Sequence, residues 1–304
     1  MQKQFAGWIS RAGERWRARF PRCESNPCLR QRSLWGRTSS RRGFWLQEAW
    51  FCSERCFENA IRAHFVRVRL PLRCPPNLQH RIPLGLLLLS RGQLTELQLR
   101  AALKVQHAQG GRLGYWAEAL GFTTEAQITA ALGLQWACPV LPGLEHESRC
   151  AGMVPFHLQK KFRMLPVQFL AHTRVLHVAF SDGIEYAALF GIQQVLGCRT
   201  EPCLLGRRMM EQGLERAASH QRAEEMLFEG CGDPAGMARV VCSYLLQTES
   251  RKARVAACGD CVWVRLESGH DNTHLLFPRP GSAADNDHEK PTPLLVLPKA
   301  AVAR

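Results

Sequence analysis

A gapless tandem repeat limits what this chain can fold into more than any other feature. Residues 83–106 (PLGLLLLSRGQLTELQLRAALKVQ) lie over residues 112–135 (RLGYWAEALGFTTEAQITAALGLQ) at a period of 29. Leu84/Leu113, Gly85/Gly114, Gly92/Gly121, Thr95/Thr124, Leu103/Leu132 and Gln106/Gln135 coincide. Each unit reads as a short helix closed by glycine, followed by a second helix that starts after threonine. The first glycine permits close approach of a ligand or a neighbouring backbone, and the second supplies a helix C-cap. Copies of one helical unit are expected to sit side by side around a shared groove.

The rest of the chain divides around this repeat. A Pro-rich linker spans 70–82 and a Cys-Pro-Val-Leu-Pro-Gly run follows the repeat at 138–143. Helix-like stretches at 156–162, 186–196 and 209–218 alternate with strand-like runs at 164–169, 175–180 and 200–204, an α+β order. A polar, Gly-rich boundary covers 219–233; a helix over 234–247 then precedes two strands, 253–258 and 261–266, around a Gly259-Asp260 turn. The expected fold class is α+β: an N-terminal zinc-knuckle segment (23–69), the tandem helical repeat (83–142), a small α/β sandwich domain (143–218) and a short degenerate α+β segment (234–277). The tail 278–304 has too little apolar content to fold.

Charge and cysteine usage mark the first quarter as different. Residues 1–82 hold 17 basic and 5 acidic side chains, so they carry most of the net +14 of the whole chain. Such a segment favours a nucleic acid or an acidic surface, with a solvated arm as the plain alternative. Within it, Phe5, Trp8, Ile9, Ala12, Trp16 and Phe20 fall at helical spacing, giving a basic amphipathic helix (1–22) that either docks on the next domain or lies on a membrane surface. The chain has 13 cysteines, an odd number, and no export signal, so a disulfide framework is not expected. Cys23-x4-Cys28 and Cys52-x3-Cys56 form two close pairs separated by 23 residues, the arrangement of a closed tetrahedral zinc site, with four free thiols as the alternative. The run Trp50-Phe51-Cys52-Ser53-Glu54-Arg55-Cys56-Phe57 resembles short treble-clef or zinc-ribbon fingers.

The repeat itself resembles the MshEN domain, the N-terminal module of secretion and type IV pilus ATPases of the GspE/PilB family. The pattern is Arg-Leu-Gly-x2-two apolar-x2-Gly-two apolar-x4-Leu-x3-Leu-x2-Gln, doubled across a five-residue spacer, here His107–Gly111. Of its eleven specified positions the first unit keeps nine, failing at Pro83 and Gln93, and the second keeps eight, failing at Ala117, Glu118 and Thr123. The resemblance covers roughly 83–217 well and 234–266 weakly. It implies a part in a type II secretion or pilus machine and, in some members, binding of cyclic di-GMP. Such a ligand needs arginines for phosphate or guanine edges, backbone N–H groups and apolar side chains. Arg112, Leu113 and Gly114 supply these in the second unit. In the first, Leu84, Gly85 and Leu88 remain, Pro83 replaces the arginine, and Arg81 is the substitute. Glu118 would repel phosphate if it faced the ligand. The alternative is a helical docking platform without a messenger.

No G-x4-G-K-[ST] run occurs, so no phosphate-cradling loop is present in the sequence, and no catalytic triad or supported carboxylate pair is visible. The expectation is a non-catalytic regulatory or adaptor protein, cytoplasmic or peripheral at the inner membrane, with structural zinc; the competing class is a zinc-finger nucleic-acid binder, using Arg30, Arg32, Arg37, Arg41 and Arg42 beside Trp35 and Trp45. Cys258-x2-Cys261 with His270-x3-His274 is a weaker metal or redox candidate, since hairpin geometry alone explains its spacing.

Overall fold

Alternating and continuous apolar runs sort into two sheets and nine α-helices among the described residues. The structure, a computed structural model, describes residues 22–25, 28, 43–68, 81–144, 150–219, 224–269 and 272–279. The amphipathic stretch 5–20, most of the linker 70–82, Cys74, His270 and nearly all of the tail 278–304 lie outside these residues.

The described chain opens with a hairpin of two three-residue strands, β1 (Phe44–Leu46) and β2 (Ala49–Phe51), then α1 (Glu54–Val68). Phe57, Ile61 and Phe65 recur every four residues along α1 and are fully buried, which fixes its inward face. The repeat forms α2 (Leu84–Ser90), α3 (Glu96–Gln109), α4 (Leu113–Ala119) and α5 (Glu125–Trp136). There follow α6 (Phe156–Lys161), β3 (Met164–Leu170), β4 (Val175–Phe180), α7 (Tyr186–Leu196), β5 (Arg199–Leu204) and α8 (Arg207–Ser219). The last elements are β6 (Glu224–Leu227), α9 (Pro234–Gln247), β7 (Lys252–Cys258), β8 (Cys261–Glu267) and β9 (Asn272–Pro278).

One sheet has the order β3-β4-β5, with β3 antiparallel and β5 parallel to β4, the latter reached through α7. The other has six strands in the order β2-β1-β7-β8-β9-β6. Its centre is the antiparallel meander β7-β8-β9, flanked by two parallel pairings, β1 on β7 and β6 on β9. Both faces of this sheet are covered. Ala256, Cys258, Trp263 and Leu276 point to α7 and β4, and Val255, Val264 and Phe277 point to α1 and α9. That double burial explains why these strands read as continuous apolar runs rather than as alternation.

Three features differ from the sequence-based expectation. The hairpin and α1 do not stand apart as a small N-terminal module: β1 pairs with β7 (Trp45 with Lys252, Leu46 with Ala253), and α1 shares one apolar core with α9. The segment 234–277 is accordingly the centre of the larger sheet. It also has a third strand, β9, and the boundary 219–233 contains β6, an edge strand whose half-exposed Glu-Glu-Met-Leu carries no alternation to reveal it.

Helix α7 sits against the meander at Gly191, where a Cβ would lie 2.1 Å from Cys258 Sγ and 2.9 Å from the Ala257 carbonyl oxygen. Alanine favours a helix interior over glycine by about 1 kcal/mol, but overpacking a fixed backbone costs about 1–3 kcal/mol. The steric term wins. Gly191→Ala is expected to lower stability by about 1–2 kcal/mol, and Gly191→Val by more, as read from denaturant midpoints.

Candidate functional site: the paired repeat and the four-cysteine cluster

The second helix of each repeat unit begins with the same device. Thr95 Oγ1 accepts from the Gln98 backbone N–H at 3.3 Å while the Thr95 N–H donates to Gln98 Oε1 at 2.9 Å. Thr124 and Gln127 repeat this capping box at 3.3 and 3.0 Å. Gly92 (φ +66°) and Gly121 (φ +71°) close the first helices in the left-handed region, as the spacing implied.

The units then lock to one another reciprocally. Gln106 Nε2 donates to the Gly111 carbonyl at 2.9 Å, and Gln135 Nε2 donates to the Ile82 carbonyl at 2.7 Å; both donors and both acceptors are related by the period of 29. A Cβ on Gly85 would lie 2.7 Å from Leu99 and 3.0 Å from Leu113; one on Gly114 would lie 3.1 Å from Ile128 and 3.5 Å from Leu84. These neighbours are again equivalents. The space left by each first glycine is therefore taken by its own second helix and by the leading leucine of the other unit. Leu88 is fully buried, packed with Leu94, Leu99, Ala102, Ala117 and Ala131. Of the seven candidate ligand residues, Gly85, Leu88 and Gly114 are buried in this joint, whereas Arg81, Leu84 and Leu113 are half-buried and Arg112 is exposed.

The two arginines stand in different surroundings. Arg81 lays its guanidinium over the Trp136 ring, with Cζ 3.2 Å from the centroid. Arg112 Nη1 lies 3.3 Å from Asp182 Oδ2, which is also 3.3 Å from Arg163 Nε. An exposed pair of this kind is worth under about 1 kcal/mol, so Arg112 can leave it for a stronger anion. Glu118 is turned to the α/β sandwich, 2.6 Å from Arg207 Nη2. Glu125 accepts from the Arg208 backbone N–H at 3.0 Å and so caps the start of α8. The pair docks the second unit on the sandwich. An open recess of about 530 Å³ beside α5, lined by Arg91, Ala130, Gly133, Leu134, Ala137, Cys138 and Val140, includes none of the seven residues. Sequence reasoning missed Asp182 and the partners of Glu118. The recurrence of Gln106 and Gln135 was a visible signal for the interlock.

The four-cysteine cluster precedes the repeat in sequence and borders the α1/α9 core. Cys52 ends the β2 turn, Cys56 falls in the first turn of α1, and Cys23 and Cys28 come from the segment before the hairpin. All four Sγ atoms lie within 4.8 Å of one another. Cys28 and Cys52 are 3.5 Å apart and Cys52 and Cys56 4.0 Å; a tetrahedral site with zinc–sulfur bonds of about 2.3 Å has edges of about 3.8 Å. The Cys52 backbone N–H points at Cys23 Sγ at 3.5 Å. Burial raises the Cys23 thiol and pushes Cys52 up to about 12, with the neighbouring thiols adding to the latter. Sulfurs this crowded keep their protons unless a cation compensates them. The cluster can hold a metal, and four sulfur donors leave no open coordination position for catalysis.

The weaker candidate does not assemble among the described residues. Cys258 and Cys261 face each other across the hairpin turn, Cys258 packed against Gly191. Cys261 accepts from Lys161 Nζ at 3.4 Å. His274 is a core residue whose Nδ1 accepts from Trp263 Nε1 at 3.2 Å.

No family profile matches the chain, and no curated protein matches it. Among solved structures, one described as MshE with cdg shares 28% identity over 45% of this chain and 99% of that one, with a TM-score of 0.38. The N-terminal domain of XpsE, in two crystal forms, shares 18% identity over 44% and 42% of this chain and 92% and 90% of its own, with TM-scores of 0.34 and 0.28. Each similarity spans less than half of the chain.

Burial, reinforced by Arg265, lowers His274 to about 4, below the ordinary imidazole value. A base held neutral in the fold stabilises above its unfolded value of about 6.5 and loses that stability as pH falls towards 4. Unfolding free energy is therefore expected to drop by about 2 kcal/mol between pH 7 and pH 5. His274→Gln, which keeps an acceptor for Trp263, is expected to flatten most of that slope. His64, also lowered by burial, acts in the same direction.

Proposed function

We propose that this chain is a non-catalytic regulatory or adaptor protein of the secretion- and pilus-ATPase N-terminal type, which receives a cyclic dinucleotide, cyclic di-GMP, on its paired repeat. Cys23, Cys28, Cys52 and Cys56 hold a structural zinc ion in this reading. The protein acts in the cytoplasm at the inner membrane, beside the machine it regulates. No described helix is long and apolar enough to cross a membrane.

The observation that carries the proposal is the reciprocal lock of the two units, Gln106 on Gly111 and Gln135 on Ile82. It holds the loops before α2 and α4 in equivalent settings, and these loops carry Arg81 and Arg112. A cyclic dinucleotide is itself two-fold, with two phosphates and two purines, so a pseudo-symmetric receptor suits it. Arg112 offers an exposed guanidinium for a phosphate, where a charge-assisted, bidentate contact outweighs its weak pair with Asp182. Arg81 stacked on Trp136 offers a flat cationic platform for a purine. Leu84 and Leu113, half-buried at the starts of α2 and α4, supply apolar contact. Glu118 is engaged with Arg207, so it does not oppose a phosphate at this rim.

Titration of the full chain with cyclic di-GMP in a calorimeter is expected to give saturable heat with Kd below about 100 µM. Arg112→Ala is expected to weaken binding tenfold or more, and Arg81→Ala to weaken it by a similar factor. No saturable heat in that range would leave the repeat as a docking platform without a messenger.

A further inference from the structure

We propose that the four-cysteine site is a metal clasp that fastens the β1–β2 hairpin to the edge of the six-stranded sheet, so that occupancy by Zn²⁺ decides whether the outer edge of β7 is paired or open. The inference rests on the zinc assignment above and goes beyond it, because a zinc ion can stabilise a local turn without governing a distant strand.

The hairpin is a weak element by itself. Its strands are three residues each, and isolated hairpins are marginal in water. Its hold on the sheet is short: two paired positions, Trp45 with Lys252 and Leu46 with Ala253. The bonds across that junction include Trp45 N–H to the Arg251 carbonyl at 2.7 Å, Gln47 N–H to the Ala253 carbonyl at 2.9 Å, the Gln47 side-chain amide to the Val255 carbonyl, and the exposed pair of Arg254 Nη2 with Glu48 Oε1 at 3.2 Å. Three main-chain carbonyls of 251–255 thus depend on one eight-residue hairpin. The segment carrying Cys23 and Cys28 has no secondary structure among its described residues; Glu24 N–H to the Trp50 carbonyl, at 3.1 Å, joins it to β2.

The cysteines bracket this weak element from both sides. Cys23 and Cys28 approach from before the hairpin, and Cys52 and Cys56 leave from its end into α1. An ion bound to all four closes the chain around the hairpin and removes the loop-closure entropy that would otherwise oppose its docking. The site is also contiguous with the core that supports β7. Cys23, Cys28 and Cys52 belong to one buried cluster with Phe57, Val241, Leu245 and Val255. Loss of the ion therefore acts on the junction through packing as well as through the chain.

The test is hydrogen–deuterium exchange on the full chain, with metal content measured on the same sample purified without chelator. One zinc per chain is expected. Removing it with a strong chelator under reducing conditions is expected to raise exchange at least tenfold in peptides covering 43–57 and 252–256, with 84–136 unchanged, and added Zn²⁺ is expected to restore protection. Absence of zinc overturns the metal assignment and the clasp together. Zinc present, but exchange in 43–57 and 252–256 unmoved by its removal, overturns the clasp and leaves the metal assignment standing. Cys56→Ser is expected to give the chelated pattern without chelator; should that variant not fold, removal and re-addition on the unaltered chain decide the matter. Gln47→Ala, which leaves all four cysteines in place, is expected to raise exchange in 43–57, where the Trp45 and Gln47 N–H groups that donate to β7 lie, while zinc content stays at one.

Discussion

Double burial of the β7-β8-β9 meander is the constraint on which the rest of this structure depends. One face carries Ala256, Cys258, Trp263 and Leu276 towards α7; the other carries Val255, Val264 and Phe277 towards α1 and α9. A sheet apolar on both faces must be covered on both, so two otherwise separate layers are obliged to meet here. The closeness of the fit appears at Gly191, where no side chain fits between α7 and the β7 backbone. It also places the cysteine-rich N-terminal segment and the C-terminal hairpin, far apart in sequence, in one core.

Several polar groups inside this arrangement are paired locally. Trp263 Nε1 donates to His274 Nδ1 across β8 and β9, and burial keeps His274 neutral. Glu225 on β6 accepts from the Phe156 and His157 N–H groups at the start of α6. Lys161 at the other end of α6 bonds Asp260 at 2.7 Å in the β7–β8 turn. Helix α6 is thus tied at both ends to the larger sheet while it packs on the smaller one.

The repeat obeys a different logic. Its two units are joined by contacts that map onto each other at the repeat period, and its glycines serve the joint between them rather than an open groove. Symmetry ends where the second unit docks. Leu132 is buried in the core of the sandwich, whereas its equivalent Leu103 is exposed; Glu118, whose equivalent is Leu89, binds Arg207, and Glu125 binds Arg208 whereas its equivalent Glu96 pairs with Arg100 on its own helix. The departures of the second unit from the motif at Ala117 and Glu118 are thereby explained: the first packs into the joint and the second holds the sandwich.

Local patterns made most elements legible without a structure. Capping threonines, closing glycines and helical periodicity located the four repeat helices, and apolar runs placed β4, α7 and α9 at their observed bounds. Cysteine spacing brought out the four-sulfur cluster, because ligand geometry leaves its trace in short intervals along the chain. What remained hidden depended on pairing over long separations. The joining of β1 to β7, the short edge strand β6, the use of Gly85 and Gly114 for packing, and the engagement of Arg112 with Asp182 are decided by which surfaces meet. Periodicity records which face of an element is buried, but not against what; the partner is chosen by shape and burial in three dimensions, and only the tertiary structure contains that choice.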